Sequence, residues 1–209
     1  MKNRGVVISG GGTGGHLYPA LVVGRKLQAM RPGLGLTYVG TRRDVESRIM
    51  AEHGDRFIPM RIEGLKGRGL RSLRGLLVLP LAFAHSLLIL ARTRPALVIG
   101  VGGYSSGPIV LLASWLRIPT VILEQNARPG FTNRLLARWV SRAVVAFVST
   151  LPAFKGKGVV LGNPVREDFY ALPAKTRTGT LDVLVFGGSQ GSRFLNDRIT
   201  AALPLLAGA

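Results

Sequence analysis

Three glycine-rich turns, each following a short apolar run, constrain the fold of this chain more than any other feature. They lie at residues 10–15 (GGGTGG), 100–107 (GVGGYSSG) and 187–191 (GGSQG). Glycines between a strand and a helix let backbone N–H groups approach an anion closely, and the helix N-terminus adds a partial positive charge. The turns therefore predict phosphate or diphosphate sites, although tight strand-to-helix turns also use glycine for geometry alone.

Short apolar runs of the buried-strand type alternate with helical patterns through the first part of the chain. Helical spacing is clearest in residues 18–30, where Leu21, Val22 and Leu27 share one face. Aromatic residues make up only 7% of a chain that is 47% apolar, which favours aliphatic parallel strands covered by helices. This pattern predicts an α/β fold, a doubly wound Rossmann-like parallel sheet with helices on both faces and ligands at the carboxyl ends of its strands. The strand candidates are residues 6–8, 36–39, 57–60, 97–99, 120–123, 143–147 and 159–161.

The composition predicts two domains of unequal length. Residues 1–162 form the predicted N-terminal domain, and the polar segment 163–180, with Pro164 and Pro173, reads as a linker. A further strand at 181–186 leads into the third glycine turn and opens the second domain at residues 181–209. One strand and one helix cannot bury their own apolar faces, so we expect this second domain to be truncated.

The charge balance indicates the class of partner. Lys and Arg number 28 against 10 acidic residues, and the resulting charge of +18 attracts anions. The cations are spread along the chain without a nucleic-acid-binding motif, which ranks nucleic acid below phosphorylated substrates and acidic lipid surfaces. The absence of cysteine excludes disulfides and thiol catalysis, and the short apolar run after the N-terminus does not resemble a signal peptide, so a cytoplasmic location is expected.

One segment combines apolar and basic residues. The apolar run 76–90 is 15 residues long and contains Pro80, whereas a membrane-spanning helix needs about 20 apolar residues. Two interpretations remain open, a core helix with solvated basic ends and a peripheral membrane patch. The candidate patch residues are Lys66, Arg68, Arg71, Arg74, Leu76, Leu77, Leu79 and Phe83.

The first glycine turn also fits a dinucleotide-binding pattern. Gly10, Gly12 and Gly15 satisfy G-x-G-x-x-G, but no acidic residue ends the second predicted strand to bind ribose hydroxyls. Arg42 and Arg43 could bind a 2′-phosphate instead. An NADP-dependent oxidoreductase is therefore an alternative function.

Several polar residues stand where strands end. His16 follows the first glycine turn and can act as a general base, or it can orient the loop. Residues 124–126 (EQN) follow a buried-type strand and point to a ligand, with helix capping as the other explanation for Asn126. Arg166 lies at the predicted domain junction, where it can bind phosphate. The chain has no Asp-x-Asp pair and no metal-ligand spacing of its three histidines, so no metal or other cofactor is predicted.

Five motifs in a fixed order make the prediction more specific. They are GGTGGH at 11–16, GGYSSGP at 102–108, EQN at 124–126, GNPVR at 162–166 and GGSQG at 187–191. Their order and spacing closely resemble the MurG family of peptidoglycan glycosyltransferases, and the resemblance covers essentially the whole chain.

The resemblance implies a GT-B fold with two Rossmann-like domains, the acceptor on the N-terminal one and UDP-N-acetylglucosamine mainly on the C-terminal one. The implied inverting reaction transfers N-acetylglucosamine to undecaprenyl-diphosphate-linked muramoyl-pentapeptide, converting lipid I to lipid II. His16 is the implied catalytic base for the acceptor 4-hydroxyl. The implied donor-binding residues are Thr13, Gly14, Gly15, Asn126, Arg166 and Ser189. The implied acceptor-diphosphate residues are Gly12, Gly103, Tyr104 and Ser105.

The resemblance also implies a peripheral location on the cytoplasmic face of the bacterial plasma membrane, with lipid I, an anionic lipid surface and other cell-wall synthesis or division proteins as partners. Members of this family continue well past the GGSQG turn. The sequence therefore leaves a further alternative, a non-catalytic half that binds the acceptor and the membrane while a separate partner binds the donor.

Overall fold

The computed structural model describes residues 4–206 except 12–13, 43, 54–55, 61, 63–69, 174–182 and 188–190, and the side chains of 14, 44–45, 52–53, 70–77 and 206 are not described. The chain divides into two compact units, Met1–Tyr170 and Ala171–Ala209. Residues 163–170 of the expected linker thus belong to the first unit.

The first unit is built on one parallel sheet. Its seven strands pair in the order β3-β2-β1-β4-β5-β6-β7, and every neighbouring pair is parallel. Each of the seven predicted strand runs forms a strand of this sheet. The strands are β1 (Val6–Ser9), β2 (Leu36–Thr41), β3 (Phe57–Met60), β4 (Leu97–Gly100), β5 (Thr120–Glu124), β6 (Arg142–Val145) and β7 (Gly158–Val160).

Helices provide the crossovers that parallel strands require. The first of them begins at Gly14, inside the glycine turn and earlier than the predicted residue 18. The helices of the first unit are α1 (Gly14–Met30), α2 (Asp44–His53), α3 (Leu70–Thr93), α4 (Ser106–Trp115) and α5 (Phe131–Leu136), with short 3-10 helices at Val148–Phe154 and Glu167–Phe169. The second unit contains α6 (Arg193–Leu206).

The sheet is buried on both faces. Along β1, Val7 packs with Ile109 of α4 in one apolar layer, whereas Val6 and Ile8 pack with Leu21 of α1 in the other. This alternation follows from the period of two along a strand, and burial on both sides explains why the strand runs are continuously apolar. The predicted Rossmann-like sheet with helices on both faces is confirmed.

Helix α3 has one core face and one exposed face. Ala82, Ile89 and Leu90 are buried against the sheet, which confirms the core-helix interpretation for that face. On its other side the exposed leucines are Leu81, Leu87 and Leu88. Among the described residues, no helix is both long enough and apolar enough to cross a bilayer.

The strand order places the first two glycine turns side by side. From β1 the chain moves outward to β2 and β3, whereas β4 lies on the other side of β1 and leads to β5, β6 and β7. After β1 and after β4 the chain turns toward opposite sides of the sheet, and this opens a crevice at the carboxyl edge between the two strands. Ligands of such folds bind in that crevice. The turns after β1 and β4 flank that crevice.

The two turns are in backbone contact. Gly103 has a φ of +80°, and a Cβ built on it would overlap the carbonyl oxygen of Gly11. Any side chain at position 103 would therefore push the turns apart as well as strain the backbone.

The second unit departs from one prediction. A strand was expected at 181–186, but the described residues 183–187 have no strand pairing. A strand is held by hydrogen bonds to a neighbouring strand, and the described part of this unit offers none. The predicted strand is therefore wrong for residues 183–186, the part of it that the structure describes.

Gly103→Ala should lower the free energy of unfolding by about 2–5 kcal/mol, the sum of about 1–2 for a left-handed backbone and about 1–3 for overpacking. Gly33→Ala is the matched control, because Gly33 has the same φ of +80° and nothing within 4 Å of its ideal Cβ. Urea unfolding of both variants isolates the contact with Gly11. Equal losses in the two variants would contradict the contact.

Candidate functional site

His16 lies between the two glycine turns. It is the third residue of α1, is half-buried, and is hydrogen-bonded to the backbone of Gly11. On its other side the imidazole lies against Gly102, where an added Cβ would be 2.8 Å from both Cδ2 and Nε2. The geometry thus places a titratable ring at the crevice where ligands of this fold class bind.

Burial controls the protonation of this ring. Desolvation lowers the pKa of His16 from its usual 6.5, while Glu124, the Gly11 hydrogen bond and Glu46 act in the opposite direction with smaller effect. The imidazole is therefore predominantly neutral at pH 7 and can accept a proton.

Glu46 of α2 links the end of β2 to the first glycine turn. Its buried carboxylate accepts hydrogen bonds from the Thr41 backbone N–H and hydroxyl, both at 2.7 Å. A Cβ added at Gly11 would contact the same carboxylate. Sequence reasoning missed Glu46 because it looked for an acidic residue at the end of the second strand and not one reaching back from the following helix.

Glu124 organises the turn after β5. Its buried carboxylate accepts four hydrogen bonds, from the Asn126 backbone N–H at 3.0 Å, Asn126 Nδ2 at 2.9 Å, the Gly130 N–H at 2.8 Å and Asn133 Nδ2 at 2.9 Å. Asn126 is exposed and held by Glu124, and the N-cap of α5 is Gly130, so the capping explanation for Asn126 is wrong. Glu124 faces the turn that it holds, although the sequence suggested that it points to a ligand.

Two of the buried oxygens that lack a hydrogen-bond partner belong to the turns after β4 and β5. Gln125 Nε2 donates to the Val101 carbonyl at 3.1 Å, which ties the turn after β5 to the turn after β4. Within the described residues, Gln125 Oε1 and Ser105 Oγ are buried without a hydrogen-bond partner. Buried polar atoms are almost always paired, so two unpaired oxygens in neighbouring turns distinguish this edge of the sheet from the core.

Hydrogen bonds fix the turn after β4. The Ser9 hydroxyl donates to the Ser105 carbonyl at 3.1 Å, and the Ser106 hydroxyl donates to the Gly103 carbonyl at 2.9 Å. Tyr104, between them, is half-buried and lines an apolar cavity together with Leu79 and Phe83 of the candidate membrane patch. These hydrogen bonds hold the turn in one conformation.

Arg166 packs on α1. Its guanidinium lies 5.7 Å from the centre of the Tyr18 ring and 5.5 Å from that of Phe169, and Lys26 lies 3.4 Å from Glu167. These contacts hold the 163–170 segment against the helix that carries His16. Arg166 also lines a cleft of about 740 Å³ along α1.

The structure brings together only some of the predicted site residues. Gly14 and Gly15 open α1 beside His16, and Gly103, Tyr104 and Ser105 form the facing turn. Predictions for several other residues lie outside the described part of the chain: Gly12, Thr13, Arg43, Lys66, Arg68 and Ser189. The side chains of Arg71, Arg74, Leu76 and Leu77 also lie outside it.

An exposed aromatic cluster was missed by the sequence analysis. Trp115 and Trp139, the only two tryptophans of the chain, form an edge-to-face pair with ring centres 5.9 Å apart. They are 55% and 43% exposed, and the guanidinium of Arg138 lies 4.9 Å from the Trp139 ring. The available signal was two rare tryptophans, one of them directly after Arg138, but their 24-residue separation hid the pairing.

Comparison with known proteins gives this site a family. The glycosyltransferase family 28 N-terminal domain matches residues 6–145, which contain the sheet from β1 to β6 and both glycine turns. Relatives named UDP-N-acetylglucosamine–N-acetylmuramyl-(pentapeptide) pyrophosphoryl-undecaprenol N-acetylglucosamine transferase are 43% identical in Desulfotalea psychrophila and 45% identical in Myxococcus xanthus, each over 96% of this chain.

A solved structure agrees with these sequence matches. The crystal structure of MurG from Acinetobacter baumannii superposes with a TM-score of 0.74 at 33% identity, over 96% of this chain and 57% of that one. The chain spans about half the length of the curated relatives it matches, 56% and 54% of the two named above. On its fold, its two glycine turns and the match over residues 6–145, the chain belongs to glycosyltransferase family 28.

Proposed function

We propose that this chain forms the acceptor-side part of an enzyme that transfers N-acetylglucosamine from UDP-N-acetylglucosamine to undecaprenyl-diphosphate-linked N-acetylmuramyl-pentapeptide. The observation that carries the proposal is the half-buried His16 between two contacting glycine turns at the switch point of the sheet. The names of the relatives supply the reaction. Family membership favours sugar transfer over the NADP-dependent alternative.

The proposed chemistry is an inverting displacement. His16 takes the proton of the acceptor 4-hydroxyl, the oxygen attacks C1 of N-acetylglucosamine, and the bond from C1 to the UDP diphosphate breaks. The new glycosidic bond is β-1,4, and UDP leaves with the electron pair. A neutral imidazole at pH 7 suits this role, and helix N-termini with Arg166 stabilise the departing charge.

The two substrates occupy different sides of the crevice in this proposal. The turn formed by Gly103, Tyr104 and Ser105, together with Gly12, binds the acceptor diphosphate. Donor binding is assigned to Thr13, Gly14, Gly15, Asn126, Arg166 and Ser189. The hydrogen bonds from Asn126 to Glu124 and the stacking of Arg166 on Tyr18 support the assignment, since they preorient both side chains.

The proposed location is the cytoplasmic face of the plasma membrane, with peripheral binding. Two exposed features support a lipid-facing surface, the leucines on the outer side of α3 and the Trp115–Trp139 pair next to Arg138. Tryptophan beside a cation suits a membrane interface, where the ring enters the apolar boundary and the charge meets anionic headgroups. The net charge of +18 acts in the same direction.

Ligand-observed NMR on this chain tests the proposed function. A soluble lipid I analogue should show binding to the chain, because the acceptor side is contained in the first unit, and NADP should show none. UDP-N-acetylglucosamine, measured separately, should bind more weakly than the acceptor analogue. Binding of NADP alone would overturn the proposal.

His16→Ala should lower turnover by about 100-fold or more, the usual contribution of a general base. The assay uses this chain joined to the C-terminal part of the Myxococcus xanthus relative.

In the unsubstituted joined enzyme the turnover rate should fall as the pH is lowered, with a midpoint below pH 6.5, because burial lowers the pKa of His16 and the neutral form is required. His85→Ala, on α3, is the matched control and should retain this profile. Unchanged turnover in His16→Ala would remove His16 as the base.

Replacing both Trp115 and Trp139 by Ala should weaken binding to phosphatidylglycerol-containing vesicles about tenfold, since their exposed rings are expected to enter the interface. Vesicle sedimentation measures the partition. Phe147→Ala removes an aromatic ring of similar exposure, 48%, and should leave the partition unchanged. If the unsubstituted chain, the double tryptophan variant and Phe147→Ala bind the vesicles equally, the lipid-binding surface lies elsewhere on the protein.

A further inference from the structure

Glu46 is a buried carboxylate that the reaction proposed above does not use. It is the third residue of α2 and is 3% exposed. Oε2 accepts the hydrogen bond of the Thr41 backbone N–H, and Oε1 accepts that of the Thr41 hydroxyl, both at 2.7 Å. A buried charge is costly unless it is hydrogen-bonded, and short bonds of this kind are the strong ones. Thr41 therefore fixes both oxygens of Glu46 in place.

The same carboxylate lies against the backbone of the first glycine turn. A Cβ added at Gly11 would overlap Oε2 of Glu46, and a Cβ added at Gly40 would lie 2.6 Å from the same oxygen. Because neither glycine has a side chain, the oxygen can approach both backbones directly. Glu46 thus joins the end of β2 to the turn that precedes α1.

Gly11 is also the backbone partner of His16. The hydrogen bond between them raises the pKa of His16, which identifies a ring N–H as the donor and the Gly11 carbonyl as the acceptor. A neutral imidazole has one N–H and one nitrogen with a lone pair, and the bond made by the N–H decides which nitrogen is left to accept a proton. Gly11 therefore selects the tautomer of His16, and Glu46 contacts Gly11.

We propose that Glu46 is a positioning residue for the base, which holds Gly11 so that the Gly11 carbonyl fixes the tautomer and the orientation of the His16 ring. The inference rests on the proposed function, which makes His16 the base. It adds a carboxylate that acts on the base through one intervening residue and does not touch the substrate.

The charges around His16 support this arrangement. Burial lowers the pKa of His16, and the carboxylates of Glu124, at the end of β5, and Glu46, on α2, oppose that effect. Glu124 has the larger influence of the two, but its carboxylate accepts four hydrogen bonds within the turn after β5. Glu46 lies against Gly11 instead. Neutralising Glu46 should therefore change the tautomer of His16 as well as its protonation.

Glu46→Gln in this chain is tested by NMR. Long-range correlations between the ring protons and nitrogens of His16 report its tautomer and, followed against pH, its protonation midpoint. The variant should show a mixture of tautomers where the unsubstituted chain shows one. Its midpoint should lie at lower pH, because a negative charge that favours the protonated ring has been removed. An unchanged tautomer and an unchanged midpoint would overturn the inference.

Glu167→Gln is the matched control. Its carboxylate lies 3.4 Å from Nζ of Lys26, on the helix that carries His16, but the Glu167 side chain is 83% exposed. Water and salt screen an exposed charge, so His16 should titrate as in the unsubstituted chain. An equal response of His16 to both substitutions would also overturn the inference, since it would reflect net charge and not the contact with Gly11.

In the joined enzyme, Glu46→Gln should lower kcat about tenfold or more and leave KM for both substrates unchanged, because a misplaced base slows the chemical step and not binding. The midpoint of the acid limb should move to lower pH together with the NMR midpoint of His16. A raised KM with an unchanged kcat would overturn the inference, since Glu46 would then support substrate binding only.

Thr41→Val separates position from charge, and it serves as the test if Glu46→Gln does not fold. It removes the hydroxyl that donates to Glu46 Oε1 but keeps the carboxylate. The variant should show a second His16 tautomer and a lower kcat, while the midpoint of His16 stays where it was. A single tautomer with full kcat would overturn the inference.

The NMR measurements separate this inference from the proposed function, because they do not depend on turnover. If the unsubstituted joined enzyme transfers N-acetylglucosamine but His16 does not respond to Glu46→Gln, the inference alone is overturned. If the joined enzyme shows no transfer but His16 responds, the proposed reaction is overturned and Glu46 remains the residue that orients His16.

Discussion

The close backbone approach of Gly11 to Gly103 is the constraint on which the rest of the site depends. Parallel pairing of β1 with β4 brings the two turns together, and the absence of side chains lets them touch. His16 can then lie against both turns, partly removed from water yet still at the crevice. A single methyl group at position 103 would overlap the Gly11 carbonyl oxygen and force the two turns apart.

Much of the fold follows from local sequence patterns. Seven apolar runs predicted the seven strands, because a strand buried on both faces is apolar at every position and short glycine turns mark its end. The family resemblance added the expectation that the first two glycine turns and His16 belong to one site. Strand order was accessible only through that resemblance, since no local pattern states that β4 lies next to β1.

The parts that sequence could not supply are long-range side-chain contacts. Glu46 reaches back to Thr41 and the first turn, and Glu124 holds Asn126, Gly130 and Asn133 by accepting their hydrogen bonds. A carboxylate looks the same in sequence whether it faces ligand or backbone. The predicted strand at 181–186 failed for a related reason, because apolar β-type sequence becomes a strand only when a neighbouring strand pairs with it.

The position of the two tryptophans has an optical consequence. With ring centres 5.9 Å apart in an edge-to-face arrangement, the two indoles share one local environment. Because the chain has no other tryptophan, all of its tryptophan emission comes from one exposed surface. Contact of that surface with hydrocarbon would shift the emission to the blue, and the protein therefore carries its own spectroscopic reporter of what touches it there.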